Sequence, residues 1–212
     1  MRLRYWIRTG MQTLLITLGA AVFYGLLIWL QGQSIHPEDV FSMLTIYLLM
    51  FGTIMPMVMN MGVYKFNLSL ASSFGSTRNE ALVGLQLFRL LPAVLTTALV
   101  MLLNWFAGPA ALFLWETALA LSLGLALIGS SGGVILGVLF SRFGKLAAIL
   151  SGVVFVMIGM GCGLLAGMDV LDGAAIAAPG KLVWLLPGIG LILYSLSMIP
   201  EQRTVWKYNV KL

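Results

Sequence analysis

The sequence predicts an all-α, polytopic membrane protein with six transmembrane helices and both termini in the cytoplasm. Three observations carry that prediction. The chain is 60% hydrophobic and only 9% charged, too poor in charge to make a wettable surface. Six apolar runs have the length that crosses a bilayer, about 20 residues, and they account for most of the 212 residues. The basic residues fall almost wholly on alternate connections between those runs.

The elements follow in order. Residues 1–10, MRLRYWIRTG, carry Leu3, Trp6 and Ile7 on one side and Arg2, Arg4 and Arg8 largely on another, the pattern of a helix lying in the inner interface. The first span is Met11 to Leu30. A basic start before an apolar run also suits a signal peptide, but QGQSIHPED offers no small-x-small cleavage pattern, so a retained helix is expected. The second span is Val40 to Tyr64. Its Met55, Met57, Met59 and Met61 recur with period two and splay around the helix; core or lipid contact is expected of them before a pliable substrate wall.

The third span, Leu90 to Ala107, begins only after Arg89, eleven residues beyond Arg78. A helix there adds about 16 Å on the inner side. Pro92 would kink it, and Arg89 would snorkel to the headgroups. The fourth span, Ala110 to Phe140, holds Glu116 beside Trp115 near its outer end. It also carries Gly129, Gly133 and Gly137 in every fourth place, a smooth ridge for helix packing. The fifth, Leu146 to Met168, has a similar pair in Gly163 and Gly167, and the sixth is Leu182 to Ile199, followed by a tail, 200–212. The connections are too short for a second domain, so residues 1–212 form one.

Orientation follows from Lys and Arg, which flank spans on the cytoplasmic side. With the N-terminus inside, eleven of the twelve basic residues fall on that side and only Lys181 lies outside. Glu38, Asp39, Asp169 and Asp172 then fall in outer loops. The single cysteine, Cys162, excludes an internal disulfide and a cysteine-rich zinc site. The net charge of +5 is explained by this placement and needs no nucleic acid.

The most polar stretch, SSFGSTRNE from Ser72 to Glu80, therefore faces the cytoplasm. Phe66, Leu70 and Phe74 recur at i, i+4 and i+8 and share one face of a short helix, which Gly75 is suited to end. Thr77, Arg78, Asn79 and Glu80 have the spacing of a capping box. Such a loop is either a well-capped connection or a docking element for a soluble partner.

Catalytic signatures are lacking. Gly144-Lys145 and Gly180-Lys181 are followed by Leu and miss the upstream Gly of a phosphate-binding loop, so no phosphate cradle is encoded. GSSG, Gly129 to Gly132, resembles an intramembrane serine protease element, but the only His, His36, lies in the first outer loop, about 30 Å from Ser131 in this topology. No catalytic, cofactor or metal residue is expected. Charge within the spans is sparse, which argues against ion-coupled carriage and favours an amphipathic or hydrophobic cargo.

Three stretches, LSLASSFGSTRNEALVG after the second span, SRFGK after the fourth and YNVKL at the end, give the chain a resemblance to the permease subunits of ABC exporters of the second type. The resemblance implies a cytoplasmic coupling helix, seated in a groove of a separate ATPase subunit. That role would fall on Phe66 to Thr77, with Gly75 at the turn and Arg78 and Glu80 at the edge. It also implies a bacterial plasma membrane. Since six helices are few to enclose a wide path, two copies would pair with two ATPase subunits. The alternative is a non-transporting scaffold or immunity protein that recruits a cytoplasmic partner.

Overall fold

The computed structural model describes residues 2–30, 39–63, 77–108, 113–144 and 182–207, with the single positions 111, 149 and 153. The regular secondary structure among them is all helical: α1 (Arg2–Leu30), α2 (Asp39–Gly62), α3 (Arg78–Ala107), α4 (Trp115–Phe143) and α5 (Leu185–Lys207), the last entered through a 3-10 turn at Leu182–Trp184. Four stretches, Leu3–Leu27, Val40–Gly62, Asn79–Ala107 and Trp115–Phe140, are long and apolar enough to cross a membrane. That is the build of a multi-pass membrane protein. The fifth expected span, Leu146 to Met168, lies outside the described residues. The sixth corresponds to α5, which is not among those four stretches.

Two expected segments are absorbed into longer helices. Residues 2–10 continue into α1 without a break, and Trp6 is buried, not turned to the lipid interface. Its indole lies against Gly84, where any Cβ would overlap the ring. At the other terminus, α5 runs through Pro200 to Lys207, so residues 200–207 belong to the bundle and not to a tail.

The hydroxyls of α1 show how a polar side chain is accommodated here. Thr9, Thr13 and Thr17 donate to the carbonyls of Tyr5, Thr9 and Thr13. Each donor is thus satisfied within its own helix, as a bilayer core demands.

Pairwise contacts fix the helix directions. Gly25 meets Leu44 while Trp6 and Val63 share a core, and Gly52 meets Thr96 while Phe41 stacks on Phe106, so α2 is antiparallel to α1 and α3. Trp6 meets Gly84 and Gly10 meets Leu91, so α1 and α3 are parallel. Gly124 meets Leu186 and Gly190 meets Leu127, so α4 and α5 are also parallel. The α4 helix is the centre of the packing, lying along both α2 and α5.

One end of the bundle gathers the starts of α1 and α3 and the ends of α2, α4 and α5. Trp6, Val63, Ala81, Leu85, Phe88, Val134, Val138 and Val205 form a core there. A second core, of Ala21, Leu48, Leu49, Phe51, Val100 and Ala118, lies toward the opposite end. Every Lys and Arg among the described residues belongs to the first end: Arg2, Arg4, Arg8, Arg78, Arg89, Arg142, Arg203 and Lys207. Asp39 and Glu116 belong to the second. The first is called the basic end below.

Candidate functional site

At the basic end, α3 starts sharply. Thr77 is extended (φ −70°, ψ 158°), and its hydroxyl accepts from the amide of Glu80 at 3.3 Å. The Glu80 carboxylate accepts from the amide of Thr77 at 2.9 Å. The capping box expected from the spacing is therefore formed, and Arg78 is the first residue of the helix. Phe66, Leu70, Phe74 and Gly75 lie outside the described residues.

Three turns into α3 is a feature that the sequence reading missed. Gln86 and Arg89 face Tyr194, Ser197 and Glu201 of α5. Arg89 Nη1 lies 2.7 Å from Glu201 Oε2, and both side chains are inaccessible to solvent. Arg89 Nη2 donates to Ser197 Oγ at 2.6 Å, and the Ser197 hydroxyl donates to the Tyr194 carbonyl at 2.7 Å. Gln86 Nε2 donates to Glu201 Oε2 at 2.9 Å, while its carbonyl oxygen accepts from the Tyr194 hydroxyl. The guanidinium carbon sits 4.1 Å from the centre of the Tyr194 ring, close enough for cation–π attraction.

This arrangement corrects two expectations. Arg89 does not snorkel to headgroups; it points inward and is 1% exposed. Glu201 is not a carboxylate of the tail; it is completely buried. An isolated ion in such surroundings would be strongly disfavoured, and the pair persists because each charge has an opposite charge and hydrogen bonds. The satisfaction is incomplete: Arg89 Nε and Glu201 Oε1 have no hydrogen-bond partner among the described residues. The signal was present as spacing, since Tyr194, Ser197 and Glu201 recur at i, i+3 and i+7 and share one face of α5.

The glycine ridge of α4 has a clear role. Gly129 and Gly133 lie directly against the backbone of α2 at Thr53 and Met57, where a Cβ would collide with main-chain atoms. Gly137, a turn further on, is buried. These glycines let α2 and α4 approach within one chain. Gly163 and Gly167 lie outside the described residues. Of the period-two methionines, Met57 is buried against this seam and the other three are only partly covered.

Within GSSG, Ser131 Oγ donates to the Leu127 carbonyl at 2.6 Å, and buried Ser130 Oγ has no partner among the described residues. His36 lies outside those residues. Glu116 is exposed in the first turn of α4. Comparison of the chain with family models, with curated proteins and with solved structures finds no match.

Proposed function

We propose that the chain is the transmembrane subunit of an ATP-driven exporter, moving an amphipathic or hydrophobic cargo out of the cell with energy from a separate ATPase subunit. The observation that carries this reading is α3. It begins at a formed capping box directly after the polar segment 64–76 and runs unbroken for 30 residues to the far end of the bundle. At 1.5 Å per residue it spans about 45 Å, more than the roughly 30 Å of hydrocarbon. A force applied at its capped foot is therefore delivered into the membrane.

On this reading, Phe66, Leu70 and Phe74 supply the apolar face that meets the ATPase, with Gly75, Thr77, Arg78 and Glu80 forming the joint. ATP and Mg are bound by the partner, and two copies of the chain pair with two ATPase subunits. The basic end faces the cytoplasm of a bacterial plasma membrane, supported by the clustering there of the described cations. Six spans are supported by the parallel course of α4 and α5. The chain leaves α4 at the basic end and enters α5 at the opposite end, a return that one further span supplies.

The test is whether an ATPase subunit copurifies with this chain and hydrolyses ATP in its company. Phe66→Ala, Leu70→Ala and Phe74→Ala combined should lose the partner. Full retention of binding and hydrolysis by that variant would remove the coupling assignment. Absence of any ATPase association with the unaltered chain would favour the scaffold or immunity reading.

A further inference from the structure

We propose that the Arg89–Glu201 cluster is a releasable clasp between α3 and α5, and that its release, with bending of both helices beside it, opens the basic end of the bundle. The inference builds on the reading of the chain as a transport subunit, but its geometry stands by itself. Apart from this cluster α3 and α5 touch little, whereas α4 is packed along the lengths of α2 and α5. Among the described residues, the seam between α3 and α5 is thus held chiefly by a few polar bonds and not by extended apolar contact.

Both helices carry a proline at the clasp. Pro92 lies three residues beyond Arg89, and Pro200 precedes Glu201. Each lacks an amide hydrogen, so the carbonyls of Phe88 and Leu196 lose their usual acceptor role toward the residue four ahead. The two helices can bend where the clasp joins them. The closed state is also incompletely bonded, with Arg89 Nε and Glu201 Oε1 unpartnered among the described residues, which narrows its advantage over a state in which water reaches both.

Leverage comes from the capped foot of α3. Arg89 stands eleven positions beyond Arg78, about 16 Å along the helix. Tilting that segment about Pro92 draws the guanidinium away from Ser197 and Glu201, and it moves Ala81, Leu85 and Phe88 against the Trp6 core. Opening hydrates both charges together and strands neither.

The experiment places spin labels at Asn79→Cys and Gln202→Cys, both exposed positions at the basic end, in a Cys162→Ala background. Distances between labels are read by pulsed electron resonance in lipid nanodiscs, without any ATPase. The native clasp should give one main distance. Glu201→Gln, which keeps the side chain's shape and removes its charge, should raise a longer-distance population about tenfold. Tyr194→Phe and Ser197→Ala, each removing a single bond across the seam (Ser197→Ala also removes one within α5), should shift the distribution the same way by less, and they serve if Glu201→Gln does not insert. An unchanged distribution in every variant that folds would overturn the clasp. Because no partner is present, that failure is distinct from failure of the exporter reading, which is read from ATPase association alone.

Discussion

Glu201 is fully buried and Arg89 nearly so, and each is tolerated only while the other is present. Arg89→Ala or Glu201→Ala should each destabilise the protein by about 3–5 kcal/mol, because truncating one partner strands a buried charge. Replacing both, as Arg89→Met with Glu201→Leu, should recover most of that loss. Unfolding of the purified variants in detergent checks this, and a double variant no better than the singles would show that the pair does not act as a unit. The residues of the cluster lay in plain view in the sequence, but the pairing joins positions 112 apart. A cation at the start of a span and a carboxylate after one have ordinary places at the membrane surface, so local pattern alone assigned both to it. Only the approach of α3 to α5 distinguishes the two outcomes.

The capping box of α3 was legible because its information is local: four consecutive residues determine which amides are free and which side chains reach them. Thr77→Ala should cost about 1 kcal/mol of helix stability while leaving the apolar face of the preceding segment intact. On the exporter reading this variant binds the ATPase but loosens the link between hydrolysis and transport, measurable as hydrolysis that continues with reduced export. The glycine ridge was legible as a packing surface but not as to its partner. Spacing shows that Gly129 and Gly133 share a face, whereas the identity of the opposing helix depends on the fold, which supplies α2. Gly133→Leu should force α2 from α4 and destabilise by roughly 1–3 kcal/mol or more, read from the same unfolding measurement. Helix limits were the least legible element property, because apolar runs mark the membrane crossing and not the helix. α1 and α3 extend beyond their apolar runs toward the basic end, and α5 continues through a proline.

At the scale of the whole molecule, composition and charge placement sufficed for an all-helical membrane bundle and for a difference between its two ends. The helix directions agree with that difference. The starts of α1 and α3 and the ends of α2, α4 and α5 converge with all the described cations. What charge placement did not reveal is how this end is held together: a Trp6 core beside a buried ion pair, where helix ends at a membrane surface would ordinarily be loose and solvated. The working arrangement requires that this end, with the capped foot of α3 and the clasp, lie in the cytoplasm. The most direct measurement is labelling of intact cells with a membrane-impermeant thiol reagent, using single cysteines in a Cys162→Ala background. Asn79→Cys at the basic end should be labelled only after the cells are broken open, and Gly108→Cys at the opposite end should be labelled in intact cells. Labelling of Asn79→Cys from outside, with Gly108→Cys protected, would place the basic end outside the cell and contradict both the coupling of α3 to a cytoplasmic ATPase and the opening of the clasp toward it.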